Sequence, residues 1–116
     1  MNLYCAMISL KDDAKALQFA QAVEAWMDSL EHAGVIGSWR LLRRKLNLAA
    51  DCYRDFLLEV EVADLAQLDK AFRWTGQHDD DVARLHRAVH DLIDGTDFAL
   101  YRPYPDIERA ERMALL

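Results

Sequence analysis

Three of the chain's four histidines fall in one stretch, Gly76 to His90, which reads GQHDDDVARLHRAVH. His86 and His90 are four residues apart, so on a helix both rings project from one side and could share a metal ion or a proton-transfer task. His78 lies eight residues before His86, about 12 Å along a continuous helix, which is too far to share one ion. The spacing therefore provides two metal ligands, and two ligands do not make a metal site.

The surroundings of His86 favour acid-base chemistry over metal binding. An apolar stripe runs beside it along the helix, formed by Val82, Leu85, Val89 and Ile93. Burial at the edge of such a stripe tunes the pKa of an imidazole, which suits a proton shuttle. We therefore predict His86 as the catalytic residue, with His90 as its neighbour and no bound metal. Ordinary surface or core-rim histidines remain the alternative.

The sequence RLLRRK, residues 40–45, is the only basic cluster. Asp55 and Glu59 can pair with Arg44 and Arg40 on a neighbouring strand, which explains most of this charge structurally. Arg43 has no such partner in the pattern. We predict that it binds a carboxylate or similar anion in a pocket.

Aromatic side chains offer walls for a flat apolar ligand, or a core and an interface. The candidates are Tyr4, Trp26, Trp39, Tyr53, Trp74, Tyr101 and Tyr104. Of these we predict Trp39, Trp74 and Tyr101 as ligand-binding residues.

Composition limits the class of protein. With 116 residues, 53% of them hydrophobic and 29% charged, the chain fits one soluble domain with a real core. A net charge of -6 disfavours nucleic acid as a partner, and the apolar runs are too short for a membrane span. Neither a secretion signal nor a CxxC motif is seen, since Cys5 and Cys52 are far apart. We predict a cytoplasmic protein with two free thiols.

The elements alternate in a recognisable order. Residues 2–10 predict a strand, and apolar spacings of three and four predict a helix from Asp13 to a stop at Gly34. Residues 35–46 and 53–62 predict two paired strands. Their charges and apolar residues match in one register. The predicted pairs are Arg44 with Asp55, Leu42 with Leu57, Leu41 with Leu58, Arg40 with Glu59, and Trp39 with Val60.

The second half of the chain predicts a helical region and a final strand. A helical stripe begins after Asp64, is interrupted at Thr75-Gly76, and continues over about 79–94 to a terminator at Gly95. Residues 96–104 predict the last strand. We expect residues 1–105 to form the domain and residues 106–116 to form a tail or short docking helix.

This order predicts an α+β, ferredoxin-like βαββαβ sandwich. Its antiparallel four-stranded sheet would have the order 4-1-3-2, with two helices on one face. The first and last strands are apolar on both sides, so the face without helices must also be covered. The chain thereby resembles the dimeric α/β-barrel superfamily over about residues 2–104. That resemblance implies a homodimer packed sheet against sheet.

The superfamily includes cofactor-free monooxygenases, heme-degrading enzymes and proteins without known activity. The resemblance to the heme-degrading members is limited to Asn2, Trp74 and either His78 or His86, in a spacing that does not align, so we expect no cofactor. We predict a binder of a small apolar or anionic molecule, or a cofactor-independent monooxygenase-like enzyme, with its pocket between the sheet and the second helical region. The alternative is a non-catalytic regulatory, stress-related or interaction module.

Overall fold

Residues 1–76 and 80–105, the part that the structure describes, form four strands and three α-helices in a computed structural model of the chain. The strands are β1 (Asn2–Leu10), β2 (Trp39–Arg43), β3 (Phe56–Val62) and β4 (Ile93–Tyr101). The helices are α1 (Ala16–His32), α2 (Leu65–Thr75) and α3 (Asp80–His90), and one turn of 3-10 helix at Asp13–Lys15 precedes α1. His78 and the tail expected over 106–116 lie outside the described residues.

The sheet has the order β2-β3-β1-β4, and each neighbouring pair is antiparallel. This confirms the α+β class and the predicted order 4-1-3-2. The predicted register is confirmed as well: Arg40 lies opposite Glu59 and Leu42 opposite Leu57. Arg40 and Glu59 also form an ion pair. Matching charges on one face and apolar residues on the other therefore set this register.

Alternation along the strands separates two faces of the sheet. We call the side covered by the helices the helix face and the opposite side the open face. On β1, Tyr4 and Ile8 point to the helix face, whereas Leu3 and Met7 point to the open face. The core lies between the helix face and the helices, and its most completely buried large side chains are Phe19, Val23 and Val62.

The ends of α1 and α2 follow their local sequence. The backbone at Gly34 has φ of +77°, a left-handed conformation that ends α1 at low cost only with glycine. At the start of α2 the Asp64 carboxylate accepts a hydrogen bond from the Gln67 backbone N–H at 2.8 Å. The Gln67 side chain in turn accepts from the Ala63 backbone N–H at 2.6 Å. This is a reciprocal cap of the kind that the Asp and Gln spacing predicts.

The prediction of two helices is wrong, because the second helical region is two helices, α2 and α3. The Thr75-Gly76 interruption ends α2, and the Thr75 hydroxyl donates to the Ala71 carbonyl at 2.9 Å within its last turn. None of the three helices in the described part of the chain is long and apolar enough to cross a membrane.

The predicted start of the last strand is also wrong. Helix α3 ends at His90, and β4 begins at Ile93, so Gly95 lies inside the strand opposite Ser9 instead of ending a helix. Leu92 is buried in the core, and its carbonyl accepts a hydrogen bond from the Lys11 backbone N–H at 3.0 Å. Leu92 and Ile93 continue the helical stripe in the sequence, but in the structure they lie in the turn after α3 and at the start of β4.

Strands β2 and β3 are shorter than predicted, and a loop over residues 44–55 connects them. Leu46 and Asn47 have positive φ, which takes the chain out of extended conformation. Arg44 donates to the Tyr53 carbonyl at 3.0 Å and pairs with the Asp55 carboxylate at 3.0 Å. The loop therefore arches over one end of the open face.

Candidate active site

Helix α3 brings His86 and His90 side by side. Their ring centroids are 4.2 Å apart, and the His86 ring is 5.5 Å from the ring of Trp26 on α1. His86 is half-buried and His90 is exposed. The i, i+4 spacing thus has the predicted effect of pairing the two rings.

Both rings line a cavity of about 260 Å³ between the helix face and the three helices. Its floor comes from β1, β3 and β4, and its roof from α1, α2 and α3. Nearly all of this lining is aliphatic or aromatic; the groups suited to hydrogen bonding include the Thr75 hydroxyl, the Tyr4 phenol and the two imidazoles. Such a mixture of apolar walls and a few polar groups is typical of a small-molecule site.

Burial among these apolar walls lowers the pKa of His86 from 6.5, and the nearby charge of His90 lowers it further. His86 is therefore neutral at pH 7, and one ring nitrogen is free to accept a proton. Burial raises the pKa of the Tyr4 phenol, so that group stays protonated and can donate a hydrogen bond. The cavity therefore combines a proton acceptor with a donor.

The predicted wall residues lie elsewhere. Trp39 donates its Nε1–H to the Asp28 carboxylate at 3.3 Å. Trp74 packs against the core, and its buried Nε1–H has no hydrogen-bond partner among the described residues. Neither tryptophan lines the cavity. Tyr101 is on the open face. The structure thus does not bring these three residues together at the cavity that holds His86, and their role in binding a ligand stays a prediction.

Arg43 lies at the end of β2 with its guanidinium 5.3 Å from the centre of the Phe56 ring. In the register it pairs with Phe56, and both residues contribute to the lining of a cleft on the open face. The cation and ring interact favourably there. The structure does not bring Arg43 together with the histidines, and its role as an anion site stays a prediction.

The cavity's aromatic wall consists instead of Tyr4, Trp26, Phe72 and Phe98. The Tyr4 ring stacks on Phe98 and meets Phe72 edge to face, each with centroids 5.7 Å apart. Tyr4 and Trp26 belong to the aromatic set found in the sequence, whereas the two phenylalanines and Thr75 were missed. Phe98 could have been found from the pairing of β4 with β1, which sets it opposite Ala6.

A second, wider cleft of about 760 Å³ lies on the open face under the 44–55 loop. Leu3, Met7 and Leu57 form its apolar centre, and Arg54 spans one end by pairing with Asp97 at 2.8 Å. Glu59 and Asp97 also line the cleft, and they form ion pairs with Arg40 and Arg54. With these charges paired, the apolar side chains of the open face are suited to burial against another surface.

Metal and heme sites were also considered from the residues present. Among residues 1–76 and 80–105 no group of three or more His, Cys, Asp or Glu side chains is placed to hold a metal ion. Asn2 is buried, and its Oδ1 accepts a hydrogen bond from Arg102 Nε at 2.8 Å. Asn2 and Trp74 do not line the cavity that holds His86. With His86 as its histidine, the heme alternative is thus not gathered around one space, and the version with His78 lies outside the described residues.

Solved structures with this fold share little sequence with the chain. A protein from Arabidopsis thaliana, At3g17210, has a TM-score of 0.71 at 7% identity, covering 91% of this chain and 98% of its own. A dimeric ferredoxin-like protein of unknown function from Jannaschia sp. CCS1 has a TM-score of 0.64 at 12% identity, covering 88% and 98%. An antibiotic biosynthesis monooxygenase has a TM-score of 0.65 at 14% identity, covering 90% and 100%. At these identities the similarity shows the fold alone, and that fold is the predicted ferredoxin-like one.

Sequence comparison places the chain more closely. No curated protein matches it. The sequence model of one family matches residues 1–116, the whole chain. The protein therefore belongs to the family of unknown function DUF6614.

Proposed function

We propose that this protein binds a small, mainly apolar molecule with a weakly acidic group in the helix-face cavity, and that His86 accepts a proton from it. One observation carries the proposal: a half-buried imidazole, with its pKa lowered by burial, lies at the wall of an otherwise apolar cavity. A neutral imidazole in such surroundings is a general base at neutral pH. Tyr4 supplies a protonated phenol for a substrate oxygen.

The reaction that suits a neutral imidazole and a protonated phenol in an apolar cavity is cofactor-independent oxygenation. His86 removes a proton from a CH2 group that a conjugated carbonyl makes acidic, and the resulting carbanion transfers electrons to O2 and forms a C–O bond. His86 returns the proton to the peroxide. Loss of a second C–H proton then breaks the O–O bond, leaving a new carbonyl and water. The name of one structural neighbour, an antibiotic biosynthesis monooxygenase, supports this class of reaction.

We also propose that two copies pair through their open faces, within the cytoplasm. The apolar centre of that face supports the pairing, as does the description of two structural neighbours as dimeric. Cys5 and Cys52 are free thiols, which suits a reducing compartment. In this arrangement the cavity stays on the outer, helix side of each copy.

Oxygen uptake with anthrone, a ketone with an acidic C–H group, tests the enzymatic role. We expect the wild type to consume oxygen faster than buffer, and His86→Gln to lower the excess rate about 100-fold. The matched control is His32→Gln, which changes an exposed histidine at the end of α1 and should leave the rate unchanged. An equal rate in H86Q and wild type would refute the base. Ligand binding in the cavity without oxygen uptake would favour the non-catalytic binding module instead.

A further inference from the structure

An apolar groove runs between α2 and the edge strand β4 on the helix face. We call it the α2–β4 groove and define it by Tyr4, Leu65, Phe72, Phe98 and Leu100. Leu65 and Phe72 are 46% and 53% exposed, and Phe98 and Leu100 are 57% and 43% exposed. Contiguous large apolar side chains left this open to water mark a surface that binds something.

The sequence places these side chains in two facing rows. Leu65 and Phe72 are seven residues apart on α2, so they differ in direction by only about 20° around the helix. Phe98 and Leu100 alternate on β4 and both point to the helix face, opposite Ala6 and Tyr4 in the register. Tyr4 lies between the rows, since its ring contacts both phenylalanines.

The groove is continuous with the histidine cavity. Tyr4, Phe72 and Phe98 belong to the groove and also line the cavity. Three polar residues of the cavity lining are His86 on α3, Thr75 at the end of α2 and Thr96 near the start of β4. From Thr96 to Leu100 the strand advances about 13 Å. An occupant that starts at His86 can therefore extend along β4 toward Phe72 and Phe98, which line the cavity and are both more than half exposed.

We propose that the ligand is an elongated amphiphile, with a phenol-like head at His86 and an unbranched alkyl chain in the α2–β4 groove. The head group rests on the proposed function; the chain rests on the groove alone. All five side chains that define the groove lack charge, so it matches a neutral hydrocarbon chain. A second copy of the chain is not the expected occupant of the groove, because the proposed dimer forms through the open face.

Binding of 4-n-alkylphenols, from phenol to 4-octylphenol, to the full chain by calorimetry tests the proposal. Each methylene buried in the groove should tighten binding by up to about fourfold. In the double variant Leu65→Ser/Leu100→Ser, the outer methylenes should no longer increase the affinity, whereas the affinity for phenol itself should be unchanged. Leu17→Ser removes a leucine that is 73% exposed on α1, and should keep the wild-type gain.

The same data separate the two proposals. Phenol that binds without any gain on chain lengthening would overturn the groove and leave the histidine site standing. A chain-length gain that persists while H86Q binds phenol as well as wild type would overturn the histidine site and keep the groove. No binding by any member of the series would overturn both.

Two other occupants of the groove, a second copy of the chain and residues 106–116, are tested with the same kind of variant. A lower assembly mass for L65S/L100S would assign the groove to a second copy of the chain. Tighter binding of 4-octylphenol by a full-length Ile107→Ser/Met113→Ser variant would assign it to residues 106–116. Either result would overturn the proposal.

Discussion

His86 is the proposed base, and it can accept a proton only when its ring is neutral. The pKa of His86 therefore sets the pH range in which the proposed reaction can proceed. Burial lowers its pKa below the ordinary 6.5, so the folded protein prefers the neutral ring. The contribution of this ring to stability is fully present above pH 6.5 and is lost as the pH falls through the folded pKa. Mild acid therefore removes the base and weakens the fold by the same protonation.

The pH profile of oxygen uptake follows from the lowered pKa of His86. We expect the His86-dependent rate to exceed half of its maximum at pH 6.5 and to reach half-maximum only at a lower pH, because only the neutral ring accepts a proton. The difference between wild-type and H86Q rates isolates the His86 contribution. A half-maximal rate above pH 6.5 would contradict a burial-lowered pKa.

Some of this site could be predicted from residues and some could not. The helical spacing of His86 and His90 and the stripe beside them predict a ring pair at the rim of an apolar space, as found. The cavity wall could not be predicted from aromatic content alone. Which side of β4 faces the helices depends on where that strand begins and how it pairs with β1. In the sequence, a helical stripe of apolar residues continues to Ile93 and conceals the start of the strand.

At the scale of elements, charge and apolar matching predicted the β2–β3 register, while strand ends depended on tertiary contacts. Gly95 illustrates the difference. A glycine after an amphipathic stretch is typical of a helix end, but here Arg54 crosses the open face and lies against it. The guanidinium donates to Asp97 at 2.8 Å and to the Ser9 hydroxyl at 3.2 Å. Gly95 leaves room for this guanidinium, and no local pattern reveals that contact.

Gly95→Ala tests that contact, because its methyl would lie 2.6 Å from Arg54 Nη1. We expect G95A to lower the free energy of unfolding by about 1 kcal/mol in the wild type, and to be neutral or stabilising in Arg54→Ala, where strand propensity favours alanine. Urea unfolding of the four combinations measures this coupling. Gly76→Ala, whose methyl would come no closer than 3.6 Å to a neighbour, should give no coupling with R54A. Additive effects of G95A and R54A would refute the contact.

The whole molecule has two faces with different tasks. The helix face carries the cavity and the α2–β4 groove, and the open face carries an apolar centre between ion pairs. The two-sided apolar strands in the sequence predicted that both faces would be covered, although they could not show that the 44–55 loop covers part of the open face.

The proposed dimer is tested by light scattering. We expect twice the 13.4 kDa mass of one chain at micromolar concentration. Leu57→Lys should shift the mass to a monomer that keeps its circular dichroism spectrum, because it places a charge at the apolar centre of the open face. The control Leu17→Lys, on the exposed side of α1, should remain a dimer. A wild-type monomer, or a dimer that L57K leaves intact, would exclude this interface.

The most direct test of the central claim, that His86 faces a ligand site, is an NMR titration of its ring with and without 4-ethylphenol. The His86 signals are those missing from the H86Q spectrum. In the free protein we expect a pKa below 6.5, and with the phenol a still lower value, because a hydrogen bond from the phenol stabilises the neutral ring. If 4-ethylphenol changed neither the His86 signals nor the His86 pKa, the proposed ligand site at His86 would be contradicted.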